Sequence, residues 1–289
     1  MNRKSFSGGV AALSASFLLA CSGGDTTPVD AGVDASFHFA PDAVIRVSGT
    51  AAVYPNAAEW MTQAGMPVPS LKGLTLRIEE PLKVALGDDT GVFGSTTLDD
   101  TGAFSMEGVD TGKVNLGIAV GIRDEANAGT VIHAATTVWD VQMHEAKPEL
   151  DIRGATGWAL PKAFHDALTL AVSPVTIAQL SGGTTSTLSG AGFILGKVVD
   201  AQGSPVAGAR IVTGSADVDA RFFYPSEDFS SVTQAGTSAS GLFVYVHDGG
   251  TTRPFTLSVD GKPDYKKRNG GVAAGTALIM TVYPGTVAP

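Results

Sequence analysis

The side chains that could do chemistry in this sequence are five histidines, one cysteine and a scatter of carboxylates. His144-Glu145 opens like a zinc-hydrolase helix, in which paired histidines hold the metal and the glutamate is the base. The position due for the second histidine is Pro148, and proline breaks such a helix. His133 could join Asp140 and His144 around a metal if neighbouring strands converged. Positions 133 and 140 differ by an odd number, however, so a single regular strand would set them on opposite faces. His165-Asp166 are neighbours on a helix and point about 100° apart, which makes no relay and reads as a solvated face. His38 and His247 have no evident partner. The run Gly236-Thr-Ser238-Ala-Ser240-Gly241 lacks a glycine that the nucleophile elbow of a serine hydrolase requires. Gly190 to Lys197 fails the phosphate-loop spacing and is followed by Val198 rather than Ser or Thr. Two acidic turns, Asp88-Asp89-Thr-Gly91 and Asp99-Asp100-Thr-Gly102, offer carboxylates for weak calcium binding at most. They lack an ordered set of oxygen ligands, and turns favour Asp and Gly for backbone reasons alone. No catalytic residue, cofactor or metal ligand is therefore expected.

The single thiol is placed differently. Met1-Asn2-Arg3-Lys4 is basic, Phe6 to Ala20 is apolar or small and uncharged, and Leu18-Leu19-Ala20-Cys21 follows. That order describes a secretory signal, and the apolar stretch falls short of the about 20 residues a membrane span needs. The tetrapeptide resembles the lipobox of bacterial lipoproteins. The resemblance implies cleavage before Cys21, lipidation of Cys21 with palmitate among the acyl chains, and an extracytoplasmic protein held on a membrane. Ser22, where an aspartate would imply the inner membrane, points to the outer one. Residues 1–20 are thus expected to be a signal peptide. Residues 21–41 are rich in Gly, Ser, Thr, Asp and Pro and are expected to form a lipidated, disordered tether. Losing Arg3 and Lys4 takes the 19 basic residues to 17 against 28 acidic, a net charge of −11. An acidic chain without a basic patch excludes nucleic acid as a partner. Lys266-Lys267-Arg268 is the one basic run and reads as a solvated turn. With no second cysteine, disulfides and thiol chemistry are also excluded.

The elements around these residues read as strands. Gly is frequent (36 of 289) and charged residues make up only 16%, which suits short strands joined by glycine turns. Toward the C-terminus, Phe193 to Val199 is a strand, Asp200 to Gly203 a turn, and Val206 to Val212 a strand with Ala209 and Ile211 on one face. Phe243 and Tyr245 then alternate with Val244 and Val246. Phe255, Leu257 and Val259 form another strand, and Ala277 to Tyr283 the last. The residues Val198-Val199-Asp200, Gly203-Ser-Pro205-Val-Ala-Gly208-Ala-Arg-Ile and the Thr237-to-Phe243 turn resemble the carboxypeptidase regulatory-like domain, a transthyretin-like sandwich. The segment 214–236 is longer than that family's usual connection. A fainter copy of the pattern begins at Val44, with Leu71 to Ile78, Ser95 to Phe104, Val114 to Val120 and Thr130 to Trp139.

The fold expected is all-β: two Ig-like or transthyretin-like β-sandwich domains, 42–150 and 193–289, with a short helical connector, 151–192. Within the connector, Leu160, Phe164 and Leu168 make an apolar stripe at a spacing of four, so a helix spans about 160–172 and stops at Ser173-Pro174. The insertion 54–70 carries a short helix with Asn56 as N-cap and Gly65 just past its end. Its Trp60 and Met61 pack on the sheet, or Trp60 serves as a ligand platform. Sandwich domains of this kind are usually accessory modules. The function expected by that resemblance is a non-catalytic surface lipoprotein presenting its domains for binding or scaffolding at the cell envelope. Its partners would be the membrane, through the lipid on Cys21, and an envelope protein or a glycan. An extracytoplasmic hydrolase with dispersed residues and a structural spacer subunit of an envelope complex are the alternatives.

Overall fold

The computed structural model describes residues 42–126 and 128–289. The signal peptide 1–20, the tether 21–41, Cys21 and His38 lie outside the described residues. The N-terminal half runs β1 (Val44–Val53), α1 (Pro55–Gln63), β2 (Thr75–Glu79), α2 (Pro81–Ala85), β3 (Val92–Thr97), β4 (Ala103–Asp110) and β5 (Gly117–Arg123). It continues through β6 (Val131–Ile132), β7 (Ala134–Asp140), α3 (Val141–His144) and β8 (Ile152–Pro161). Three helices follow: α4 (Lys162–Val172), α5 (Pro174–Leu180) and α6 (Leu188–Ala191). The C-terminal half contains β9 (Phe193–Val198), β10 (Ile211–Val212), α7 (Ala216–Asp219), β11 (Phe222–Pro225) and β12 (Val232–Thr233). It ends with β13 (Leu242–Val246), β14 (Phe255–Val259), β15 (Arg268–Gly270) and β16 (Ala277–Val282).

Side-chain alternation decides the layers. In β13, Phe243 and Tyr245 enter one core while Leu242, Val244 and Val246 enter another. A strand with no polar face must be covered on both sides. On one side, the sheet β10-β14-β15 packs over β11, β13, β9 and β16 around Ile194, Phe222, Phe243, Leu257 and Met280. On the other side lie the helices, through Phe164, Leu168 and Val172 of α4 and Ile177 of α5. Phe164 and Leu168 of the expected stripe are fully buried on α4, whereas Leu160, also buried, belongs to the strand β8 that precedes the helix. In the N-terminal half the sheet β4-β1-β8-β6 covers β7, β5 and β2 around Val47, Leu76, Ile78, Ile118 and Val120.

The class is all-β, with two sandwich cores, but the two domains are not separate. Strand β16 runs parallel to β9 on one side and to β7 on the other. This joins both halves in one nine-stranded sheet, β12-β11-β13-β9-β16-β7-β5-β2-β3. Residues 42–289 accordingly fall in one compact unit. The physical reason is the composition of β16. Ala277 and Ile279 face the helices, and Leu278, Met280 and Val282 face the second sandwich, so the strand suits only an interior position.

The connector 151–192 is also corrected. Its stretch Ile152–Pro161 is β8, an inner strand of the first sandwich that pairs in parallel with β1. Pro161 closes that strand, and the helix begins at Lys162. Pro174 opens α5 rather than simply ending α4, since proline is well suited to the first helical position. Likewise Pro55, not Asn56, leads α1, with Tyr54 as its cap. Gly65 takes the expected positive φ, 69°. Of the strand expected over Val206 to Val212, only Ile211–Val212 pairs, though Ala209 and Ile211 share one core as expected. The long segment 214–236 supplies β11 and β12, which extend the edge of the large sheet.

Candidate ligand-binding groove

Beyond Thr136 and Ile279 the ladder between β7 and β16 ends, while β16 stays paired with β9 as far as Val282. The last residues of β7 therefore part from β16. Strand β8 belongs to the other sheet and passes nearby: the Trp158 N–H donates to Thr136 Oγ1 at 2.8 Å. Between them lies a groove of about 460 Å³. Trp139, Thr156, Trp158, Lys197, Arg268 and Tyr283 form the parts of its wall that matter chemically. The volume suits a small ligand or a short segment of chain.

Arg268 is the most constrained of these residues. It is 3% exposed, and its guanidinium lies 4.4 Å from the centre of the Tyr283 ring. Its Nη2 donates to the Tyr283 carbonyl at 3.4 Å, and its Nη1 has no partner among the described residues. Burial lowers its pKa, opposed by Tyr283 and by Asp140, but an arginine stays charged. Arg268 was expected in a solvated turn. It is buried because it opens β15, under Tyr283. Lys197 is half-buried on β9 and donates to Asn56 Oδ1 at 3.3 Å. Burial lowers its pKa, and Glu59 partly offsets this. Arg153, at the mouth, is exposed and lies 3.5 Å from Asp151.

The carboxylate in the groove wall is Asp140, and it is already engaged. Oδ1 accepts from the Gln142 N–H (2.9 Å), the Met143 N–H (3.4 Å) and Asn269 Nδ2 (2.9 Å). Oδ2 accepts from the Asn269 N–H at 2.8 Å. Asp140 thus caps α3 and ties β7 to β15. Burial still pushes its carboxyl up, against the pull of the Asn269 bond and of Arg268. With Asp140 engaged, three cations and three aromatic rings face the groove of a chain whose net charge is −9.

The other expected site residues are spread through the fold. His144 turns back onto the Asp140 carbonyl (2.9 Å) and stacks on Trp139 at 3.8 Å. His133 lies 3.7 Å from the buried Glu79, which also faces Arg123 at 3.6 Å. Among the described residues, no group of three or more His, Cys, Asp or Glu is placed to hold a metal. His165 is not solvated as expected. It is buried, its Nε2 accepts the Ser189 N–H at 3.0 Å, and its Nδ1 pairs with Asp166 at 2.9 Å. The approach of α6 brings Ser189 over it, so His165 fixes helix packing. His247 meets the Gly250 carbonyl at 3.1 Å.

The acidic turns bind their own backbone: Asp88 takes the Thr90 N–H, and Asp99 takes those of Thr101 and Gly102. Asp100 pairs with Lys72 at 2.9 Å, and Asp89 opens a single 3₁₀ turn. Trp60 stands edge-on to Phe164 at 5.8 Å, half-buried, and borders a second depression with Asn56, Gln63 and Asp228. Lys197 lies on the boundary of both depressions. Lys197, Arg268 and Tyr283 went unnoticed in the sequence as groove residues. The signal that could have found Arg268 is its place at the head of a short strand after two lysines.

No protein-family model and no curated protein matches the chain. Solved structures to which the chain is similar include the Bacillus anthracis TIE protein, at 11% identity and a TM-score of 0.22. That match covers 84% of this chain, which spans only 34% of the TIE protein chain. The shaft pilin SpaA of Lactobacillus rhamnosus GG is 13% identical over 85% of this chain and all of its own, with a TM-score of 0.22. A streptococcal ancillary pilin is 10% identical over 84% of this chain and 69% of its own, with a TM-score of 0.23. Scores this low leave function to be argued from the groove itself.

Proposed function

We propose that this protein is a non-catalytic lipoprotein of the cell envelope that uses the groove beside Trp158 and Arg268 as a binding surface. One observation carries the reading. Cations and aromatic rings line the groove, while the carboxylate in its wall is engaged by four hydrogen bonds. A surface so equipped recognises a ligand and has no free general base to transform it. The histidines support the same reading, since His144, His165 and His247 each hold backbone. Anchoring rests on Leu18-Leu19-Ala20-Cys21 and its likeness to a lipobox, with Ser22 favouring the outer membrane. The residues Val198-Val199-Asp200, Gly203 to Ile211 and the Thr237-to-Phe243 turn carry the likeness to carboxypeptidase regulatory-like domains, which supports an accessory role. Such domains act as accessory modules.

Two measurements test this. Cells fed a palmitate analogue label the wild type and not Cys21→Ala; equal labelling of both removes the anchor. Crosslinking in intact envelopes, followed by purification of the chain, recovers a discrete partner that is lost on Trp158→Ala. The same yield from that variant refutes the groove as the binding surface.

A further inference from the structure

The groove is also a break in the strand pairing. Strand β8 pairs with β1 from Ile152 to Ala159, but on its other edge β6 meets it only at Leu160 and Pro161. The edge from Ala155 to Ala159 therefore has no partner strand among the described residues. Trp158 shows which way this edge points, because its N–H goes to Thr136 Oγ1 rather than to β1. Thr156, two residues back, presents its backbone on the same edge and lines the groove. Opposite it, β7 beyond Thr136 and β16 beyond Ile279 are also free of each other. Unpaired strand edges are normally blunted or covered because they invite another strand. Here the flanking irregularity at Gly154 (φ 68°) blunts only the entrance.

We propose that the groove takes an extended acidic peptide, which adds as a strand along the free edge of β8 and sets its carboxylates against Lys197, over the buried charge of Arg268. This rests on the groove being the binding surface. The main chain of β8 supplies hydrogen bonds irrespective of sequence, and the wall supplies selectivity. Arg268 lies within the wall, 3% exposed with Nη1 buried and unpartnered, so its charge acts on the peptide's carboxylates from beneath the groove surface rather than by direct contact. Alternate residues of an added strand point to opposite faces, so an acidic residue toward Lys197 leaves its neighbours toward Trp158. The partner segment is thus about six residues long, at about 3.3 Å per residue, with acidic and apolar positions alternating. A glycan would use the aromatic rings and the cations but would leave the strand edge unpaired.

The full chain, in detergent, is titrated into a fluorescein-labelled hexapeptide alternating valine with aspartate, and polarisation is read. Saturable binding is expected. Methylating alternate backbone nitrogens of the peptide should weaken it by about tenfold or more, the loss of one or two charge-independent hydrogen bonds. Replacing aspartate by lysine in the peptide should do the same. On the protein, Thr156→Pro removes the edge N–H without touching the β1 ladder and should weaken binding as much. Far-ultraviolet circular dichroism reports whether that variant is folded, and the methylated peptide needs no variant. Equal binding of the methylated and parent peptides overturns strand addition. So does no saturable binding up to millimolar peptide, or binding by oligogalacturonate in its place. The probe is soluble, so failure here leaves palmitate labelling at Cys21 unaffected, and failure of labelling leaves peptide binding unaffected.

Discussion

Asp140 offers the sharpest test of the fused architecture, because one buried carboxylate joins strands from both halves. Replacing it with alanine orphans the N–H groups of Gln142, Met143 and Asn269 and the Asn269 side-chain amide, which keeps only the Leu116 carbonyl. Hydrogen bonds to a charged group are worth about 1.5–3 kcal/mol each. They do not sum, and the desolvation of the carboxylate opposes them. The raised pKa of Asp140 gives the sign of that opposition: the folded state disfavours the ionised form, so this cost is present at neutral pH and fades as the pH falls below the raised value. The net cost of truncation is then about 3–5 kcal/mol, from several buried donors left unsatisfied at about 1–3 kcal/mol each, less the carboxylate desolvation relieved. At about 2–4 °C per kcal/mol for a chain of this size, the midpoint should fall by about 6–20 °C. Thermal unfolding is followed by calorimetry and by near-ultraviolet circular dichroism. If β16 fuses the sandwiches, wild type and Asp140→Ala each unfold in one transition that both probes report together. Two resolved transitions, with only one shifted by the substitution, would refute the fused sheet. A loss under about 1 kcal/mol would refute the role given to the Asp140 bonds.

Three further outcomes are expected. Gly196→Ala places a Cβ 1.9 Å from the Phe243 ring, so it should cost at least about 1–3 kcal/mol in urea denaturation, whereas Gly208→Ala, with no atom within 4 Å, is strained only by its backbone. Burial lowers the pKa of His165, with Asp166 opposing, so its stabilising contribution is present above the ordinary value of 6.5 and is lost as the pH falls through the lowered one. The wild type should therefore lose more stability than His165→Gln between pH 7.5 and pH 5, and parallel losses would show that His165 does not carry the effect. Phe164→Ala removes the ring that meets Tyr54, Trp60 and Phe229 and should cost about 3–5 kcal/mol, read as a lower urea midpoint at unchanged slope.

What the sequence made legible follows from how strongly each element is patterned. The stripe of α4 and the alternation of Phe243 and Tyr245 with valines are local signals, and both survive in the fold. Strand β8 was hidden because its inward residues are Ala155, Gly157 and Ala159. They are small for a reason: a Cβ on Gly157 would lie 2.5 Å from Val120, and one on Gly49 would lie 1.8 Å from the Ala155 carbonyl oxygen. Close approach removes the bulky side chains by which a strand is recognised. For β16, the apolar run told of burial on both faces but not which strands flank it, since those partners are distant in sequence. The groove was the least legible part. Trp158 lies in a segment whose sequence reads as a connector, and the charge run at 266–268 masks the burial of Arg268, which depends on Tyr283 just past β16 in the other sheet. His165 read as solvated because nothing in its own helix foretells Ser189 above it.

The central position of β16 has a consequence for the order in which the chain can fold. It is the last strand in the described sequence, yet it lies between β9 and β7, so neither half completes the large sheet until residues 277–282 exist. Pairings between such remote segments are formed late and slowly, because a long loop must close before any contact rewards it. A nascent chain would carry the open edges of β7 and β9 throughout synthesis. Were the chain exported unfolded, as the proposed function requires, the last of its described strands to emerge would be the one that closes the sheet.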